Sequence, residues 1–371
     1  MKRIRDRPPQ RIAVFCPNLI GDTVMATPAL RALRSAYPLA HIAIVIKPHV
    51  APTLDGAPWF DEVVRFDPRS RSPEFRFWPA VQALRKGRFD LAVLFPNSIR
   101  TGLLAWLGGA KRRIGYDLGG RRWFLTDRLL PIRDSGRTRL PSPAVDYYLA
   151  IVRELGCPVE SNRAELFTSA EDELAADRAW EALGLNDGRP VVCLNTGGAF
   201  GPAKAWPAQY FAIVARRLAE ETGSRVLVVC GPSEREPARE IVRLSDHPDV
   251  TSLADQPLSV GLTKASVKRS ALLITTDSGP RHFAGAFGIP VVSLFGPTHI
   301  AWTRTYHPRA IHLQQPVPCG PCQKPICPLG HHRCMIELTP EAVFRAALKL
   351  LGQEESQADL PRQQSEVRVT V

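Results

Sequence analysis

In Val191-Val192-Cys193-Leu194-Asn195-Thr196-Gly197-Gly198-Ala199-Phe200-Gly201-Pro202-Ala203-Lys204-Ala205-Trp206-Pro207, a β-branched apolar run meets a loop with three glycines and one lysine. An amphipathic segment, Pro207–Glu221, then opens with helical spacing of its apolar residues. Strand, loop and helix in that order make a βα unit, and open α/β sheets bind ligands at such strand ends. The loop is not a P-loop, because no Gly-Lys-Ser/Thr closes it, and it lacks the Gly-x-Gly-x-x-Gly pattern. Lys204 is either a point charge for phosphate or a solvated side chain on a flexible turn.

The same alternation runs outward in both directions. Downstream, Val226–Cys230, Leu272–Thr275 and Val291–Phe295 read as strands, with helices at Pro237–Leu244 and Arg281–Phe287. Upstream, Ile12–Phe15, Ile42–Ile46, Val63–Phe66 and Leu91–Phe95 read as strands, separated by helical patterns at Ala29–Ala36 and Pro79–Lys86. The alternation lapses near residue 120 and restarts at 191, which predicts two doubly wound α/β domains. Helices are expected at 144–155 and 170–183, the second closing the first domain. The turn-rich Gly184-Leu185-Asn186-Asp187-Gly188-Arg189-Pro190 marks the joint. The expected division is 1–185, 186–351 and a polar, aperiodic, disordered tail at 352–371. A last helix, Pro340–Leu351, has Thr339 as N-cap and proline at its first position.

The chain of 371 residues carries 48 Lys and Arg against 36 Asp and Glu, a net charge of +12. That excess points to an anionic partner: nucleic acid, an acidic membrane surface or a phosphorylated substrate. No apolar run approaches the roughly 18 residues needed to span a bilayer. The basic N-terminus is followed only by Ile12-Ala13-Val14-Phe15 before polar residues return, so no secretory signal is read, and a cytoplasmic protein is expected.

Two more loops follow predicted strands. Cys16-Pro17-Asn18-Leu19-Ile20-Gly21-Asp22-Thr23 places a carboxylate beside a glycine ahead of a helix, either as a helix cap or as a general base. In Thr275-Thr276-Asp277-Ser278-Gly279-Pro280-Arg281-His282, backbone N–H groups and Ser278 make a ready anion site. Asp277 would repel phosphate and suits a sugar hydroxyl. His282 is a proton carrier, an anion contact or a packed ring. Phe295-Gly296-Pro297-Thr298 ends the next strand and could complete the same pocket. Two anion-friendly loops in one domain suggest a nucleoside diphosphate.

Taken in order, these segments resemble glycosyltransferase family 9, the bacterial ADP-heptose:lipopolysaccharide heptosyltransferases. Asn18-Leu19-Ile20-Gly21-Asp22-Thr23-Val24-Met25-Ala26-Thr27-Pro28-Ala29-Leu30 looks like its opening motif, and Phe200-Gly201-Pro202-Ala203-Lys204-Ala205-Trp206-Pro207 like its Gly-Pro-Ala-Lys-Arg-Trp-Pro segment. Thr276–His282 with Phe295–Thr298 looks like its donor signature. The heptosyltransferase II branch is the closer likeness. The resemblance implies a GT-B fold: two Rossmann-like domains around a central cleft, acceptor on the first and ADP-heptose on the second. By likeness Asp22 is the catalytic base and Lys204 the phosphate contact. Gly198, Gly201, Leu258, Asp277, Ser278, Gly279, His282, Gly296 and Thr298 are donor contacts, and Asn18 and Gly21 acceptor contacts. Position 205 is alanine where the family commonly has arginine, and position 281 is arginine where an apolar residue is common.

The implied chemistry is an inverting transfer. The acceptor hydroxyl attacks the anomeric carbon opposite the departing ADP, and one carboxylate removes its proton. No Asp-x-Asp pair occurs, so no catalytic cofactor or metal is expected. A separate metal site is expected in Cys319-Gly320-Pro321-Cys322-Gln323-Lys324-Pro325-Ile326-Cys327-Pro328-Leu329-Gly330-His331-His332-Arg333-Cys334. Its spacing could wrap structural zinc through Cys319, Cys322, Cys327 and Cys334; paired or reduced thiols and an iron–sulfur cluster are the alternatives. Other readings are a GT-B transferase for a different nucleotide sugar or acceptor, and a basic zinc-containing nucleic-acid-binding protein. Against the latter, the cysteine segment lacks a recognition helix, and no nucleic-acid partner is expected. The basic clusters Lys111-Arg112-Arg113, Arg121-Arg122 and Arg133–Arg139 fall in the expected acceptor domain; they are either a solvated surface or the side that meets the lipid A-core acceptor, which the resemblance implies at the inner membrane face with the protein peripheral to it.

Overall fold

The computed structural model describes residues 7–131, 142–198 and 200–352, and the backbone of 368–370. The chain divides into two compact units, residues 1–167 with 301–305 and residues 168–300 with 306–371.

The first unit contains six parallel strands, β1 (Arg11–Phe15), β2 (His41–Ile46), β3 (Glu62–Arg65), β4 (Leu91–Leu94), β5 (Arg112–Tyr116) and β6 (Asp127–Leu129), in the order β3-β2-β1-β4-β5-β6. Its helices are α1 (Ile20–Met25), α2 (Thr27–Ala36), α3 (Phe77–Gly87), α4 (Ile99–Leu107) and α5 (Ala144–Glu154). The central strands are apolar on both faces because helices cover both, as parallel sheets require; Ile12, Val14, Ala92 and Val93 are fully buried. The winding reverses between β1 and β4, so the loops after these two strands border a switch point.

The second unit repeats the plan with β7 (Val191–Asn195), β8 (Arg225–Val229), β9 (Val250–Ser252), β10 (Leu272–Thr276), β11 (Val291–Phe295), β12 (Ala310–Gln314) and β13 (Arg368–Thr370). The order is β13-β12-β11-β10-β7-β8-β9, parallel except for β13, which pairs antiparallel with β12. Its helices are α6 (Ala170–Ala182), α7 (Ala208–Thr222), α8 (Arg235–Ser245), α9 (Val260–Arg269), α10 (Gly279–Phe287), α11 (Arg333–Ile336) and α12 (Pro340–Leu351). Here the switch point lies between β7 and β10. The two Rossmann-like α/β units are the GT-B class expected from the sequence.

Two details differ from expectation. Helix α6, read as closing the first domain, belongs to the second unit. The reason is a buried ion pair: Lys264 of α9 is fully buried and lies 2.9 Å from Asp172 of α6. Asp172 also completes a capping box with Ser169. Trp180 Nε1 adds a hydrogen bond to Ser266 Oγ at 3.2 Å. The second detail is the tail. Of 352–371, residues 353–367 and 371 lie outside the described residues, but Arg368–Thr370 forms a strand rather than continuing as coil, with Thr370 opposite His312. The strands β5, β6, β9 and β12 were not read from sequence. Thr339 caps α12 as its sequence suggests, its Oγ1 accepting the Ala342 N–H.

Candidate active site

In the first unit, the loop after β1 turns into α1 and the loop after β4 into α4. Asp22 is the third residue of α1, so it is not the cap; that position is Leu19, which makes no side-chain cap bond. Asp22 instead lines a cavity of about 360 Å³ at the switch point. Asn18 shares that wall, as do Asn97 and Ser98 from the β4 loop, Tyr147 from α5, and Trp302. Gly21 precedes Asp22 within the helix. The β4 side of the cavity was not singled out in the sequence. Its support is polar: Asn97 Oδ1 accepts from Tyr147 Oη at 2.6 Å and from Arg121 Nη2 at 2.9 Å. Tyr147 is held in turn by stacking on Tyr116, ring centroids 4.0 Å apart.

In the second unit, the loops after β7, β10 and β11 converge on Asp277. Lys204 Nζ donates to Asp277 Oδ2 at 2.6 Å and to the Asp277 carbonyl at 2.8 Å. Thr298 Oγ1 donates to the same carboxylate oxygen at 2.8 Å. Gln314 Nε2, from β12, fixes the Thr298 loop through the Thr298 and Gly296 carbonyls at 2.8 and 3.2 Å. Asn195, at the end of β7, donates its amide to Thr275 Oγ1 at 3.1 Å and Ser278 Oγ at 2.9 Å. That amide ties the two switch-point strands together. Ser278 is the N-cap residue of α10 and Gly279 its first residue, so unpaired N–H groups of the first turn begin there. Gly198 lies against Ser278: a Cβ at 198 would be 3.5 Å from Ser278 Cβ. Gly201 takes φ +141°, and a Cβ there would come within 2.5 Å of the Pro325 carbonyl, so only glycine fits. Leu258 lies half-buried in the loop before α9.

The charge balance of this site follows from burial and proximity. Burial alone would raise the Asp277 carboxyl, but Arg281 and then Lys204 outweigh it and hold the group at about 2. Burial lowers the Arg281 guanidinium, and Asp277 pulls it back. His282, buried and next to Arg281, is held well below the usual histidine value and is therefore neutral near pH 7. Of the three roles open to it, neutrality and burial favour a packed ring. Asn195, Thr275, Gln314 and Arg281 are the members of this network that sequence reasoning passed over as site residues.

The cysteine-rich segment packs beneath these loops. Ala203 N–H donates to the Pro325 carbonyl at 3.0 Å, and Gln323 N–H to the Pro297 carbonyl at 2.8 Å. Met335 and Cys334 fill the space beside Gly296, where a Cβ would meet Met335 Sδ at 2.3 Å. All eight cysteines are free thiols. The four expected ligands, Cys319, Cys322, Cys327 and Cys334, line one cavity, yet among the described residues no group of three or more His, Cys, Asp or Glu side chains is set to hold a metal ion. The zinc expectation therefore finds no support in this arrangement, in which Cys334 Sγ lies near Gly296 and Cys319 is exposed beside His331, Sγ to Nε2 3.8 Å. The segment braces the Lys204 and Thr298 loops.

The basic residues of the first-unit clusters have partners within the unit, while the Lys111 and Arg122 side chains remain 62% and 60% exposed. Lys111 pairs with Asp90 at 3.0 Å and Arg112 with Asp127 at 3.0 Å. Arg113 donates to the Phe124 and Ala110 carbonyls. Arg121 is fully buried, donates to the Tyr116 carbonyl at 2.9 Å and also to Pro96, and burial lowers it to about 10. Arg121 is thereby withdrawn from any anion-attracting surface, Lys111 and Arg122 stay exposed, and Arg133–Arg139 lies outside the described residues. No helix among the described residues is long and apolar enough to cross a membrane.

With this geometry in hand, comparison with known proteins is specific. A family model described as glycosyltransferase family 9 (heptosyltransferase) matches residues 77–332. Lipopolysaccharide heptosyltransferase 2 of Escherichia coli (strain K12) is 25% identical over 363 residues, spanning 93% of this chain and 100% of that protein. The crystal structure of a family 9 glycosyl transferase from Veillonella parvula DSM 2008 superposes with a TM-score of 0.77 at 26% identity, covering 93% of this chain and 98% of the other. The E. coli ADP-heptose lps heptosyltransferase II superposes at 0.74 and 25% identity, covering 93% and 100%.

Proposed function

The chain belongs to glycosyltransferase family 9, and from that membership we propose that it transfers heptose from ADP-heptose to the inner core of lipopolysaccharide, with inversion at the anomeric carbon. Names of its relatives support the donor and the product, since they are lipopolysaccharide heptosyltransferases. The observation that carries the reading is the position of the motif residues. Asp22 lines a switch-point cavity in one unit, and Lys204, Asp277, Ser278 and Thr298 meet at the switch point of the other.

In this reading the acceptor sugar enters the Asp22 cavity. Its hydroxyl oxygen attacks the anomeric carbon while the bond to the ADP oxygen breaks, and the hydroxyl proton passes to the Asp22 carboxylate. Such general-base assistance is worth roughly 10²–10⁴-fold. Negative charge grows on the departing diphosphate, so donors fixed near it stabilise the transition state more than the ground state. The Lys204 ammonium and the N–H groups opening α10 are those donors, with Asp277 left to hold a sugar hydroxyl. The acceptor is a lipid-borne core oligosaccharide met at the cytoplasmic face of the inner membrane, and the protein is peripheral there. The exposed Lys111 and Arg122 would contribute to that membrane attraction, whereas the buried Arg121 would not.

Thermal shift tests the donor half of the reading directly. ADP should raise the melting temperature, by mass action on the folded state, while UDP and a DNA oligonucleotide should not. Stabilisation by UDP or by the oligonucleotide in place of ADP would contradict it.

A further inference from the structure

The carboxylate of Asp277 serves two cations held in different ways. Lys204 Nζ is 2.6 Å from Oδ2, and Arg281 Nε is 3.7 Å from Oδ1. Arg281 sits one helical turn beyond Asp277, is 1% exposed, and lays its guanidinium 5.0 Å over the Phe295 ring. Its Nη2 lies 3.5 Å from His282 Nε2. A rigid, planar side chain so enclosed stays where it is. Lys204 is the opposite case. It ends the short turn Pro202–Lys204 after the glycine loop, its side chain remains 11% exposed, and its ammonium rests 4.6 Å from the Phe200 ring.

A buried Lys–Asp pair standing alone would be a poor phosphate site. Moving the ammonium to a ligand would abandon a desolvated carboxylate, and breaking one side of a buried pair is strongly unfavourable. A second cation already seated on that carboxylate removes the difficulty. We propose that Arg281 is the resident counter-ion of Asp277, a positioning residue that lets Lys204 move its ammonium from Asp277 to the diphosphate of the donor. This rests on the reading of Lys204 as the diphosphate contact. It also gives a role to the buried arginine at 281: of the two cations on this carboxylate, one stays and one is exchangeable.

The test is calorimetric titration of the full chain with ADP, for the wild type, Lys204→Met, Arg281→Met, the double variant and Arg281→Lys. Each single loss should weaken ADP binding about tenfold, and the double variant no more than about threefold further, because Arg281 acts through Lys204. Arg281→Lys, which keeps the charge, should stay within about threefold of wild type. An independent or purely structural role makes the two losses multiply, and that outcome, or an Arg281→Lys protein as weak as Arg281→Met, overturns the proposal. Should the double variant fail to fold, Asp277→Asn added to Arg281→Met decides: recovery to within about threefold of Asp277→Asn alone supports the exchange, and no recovery overturns it. A wild type that binds UDP or inorganic pyrophosphate but not ADP contradicts the ADP-sugar reading, and the same cycle is then read with that ligand. A wild type that binds none of the three overturns both.

Discussion

Lys204 and Asp277 lie 73 residues apart in sequence and 2.6 Å apart in the fold, joined as a buried ion pair. The pair brings the glycine loop after β7 onto the loop after β10, so the phosphate-contacting lysine and the sugar-contacting carboxylate proposed for the donor site are mechanically one unit. Consequences for binding, stability and pH response follow from that union.

Lys204→Ala should weaken ADP binding measurably in calorimetry, by about tenfold or more, because it removes the exchangeable cation from the site. Melting temperature should fall modestly, since Arg281 and Thr298 still engage the Asp277 carboxylate. Unchanged ADP affinity would put the lysine outside the donor site.

Acid should loosen the second unit through Asp277. Its folded value of about 2 lies below the ordinary 3.8. The stabilisation is therefore complete above about pH 4 and is lost as pH falls from there toward 2, amounting to something on the order of 2 kcal/mol. Asp277→Asn should flatten that part of the stability profile in urea unfolding followed from pH 5 to 2. A wild-type slope that persists in the variant would assign it to other carboxylates.

Lys264→Met should destabilise the second unit by about 3–5 kcal/mol, since it leaves Asp172 buried opposite an apolar side chain. Chemical unfolding reads the loss directly. A change below about 1 kcal/mol would mean that the α6–α9 contact is held by Trp180 and its neighbours rather than by the ion pair.

Gly201→Ala should cost stability and ADP affinity together. The backbone at 201 holds φ +141°, and the added methyl would meet the Pro325 carbonyl at 2.5 Å, forcing the Lys204 turn away from the segment that braces it. Full ADP affinity in this variant would separate the cysteine-rich segment from the donor site.

How much of this was legible in advance divides along physical lines. Strands such as Ile12–Phe15 and Val191–Asn195 announce themselves because parallel sheets bury both faces, and the loops after them carry the glycines that a close turn needs. The α/β class and its two-unit plan were readable from that alternation. Strand β5 lacks an apolar signal because it opens with Arg112 and Arg113, whose charged ends are held by Asp127 of the neighbouring β6 and by the Phe124 carbonyl. The position of α6 was misread because the turn at 184–190 looks like a boundary, while the bond that decides it, Asp172 to Lys264, spans 92 positions. The Cys-x₂-Cys-x₄-Cys-x₆-Cys spacing states only how far apart thiols are along the chain. It could not say how the thiols would be disposed around the one cavity that they line, where among the described residues they are not set to hold an ion. Arg281 was visible as a departure, but its place beneath Asp277 required the helix.

Asp22→Asn should leave ADP affinity unchanged while reducing transfer by roughly 10²–10⁴-fold, because the amide cannot accept the acceptor proton. A variant with near wild-type turnover would remove Asp22 as the base.

The most direct measurement is transfer itself: purified protein incubated with ADP-heptose and a defined inner-core acceptor, with product read by mass spectrometry and ADP release. The account predicts one heptose added per acceptor, in step with ADP released, and none from UDP-sugars. Heptose transfer that is absent with every inner-core acceptor, or a UDP-sugar used in place of ADP-heptose, would contradict it.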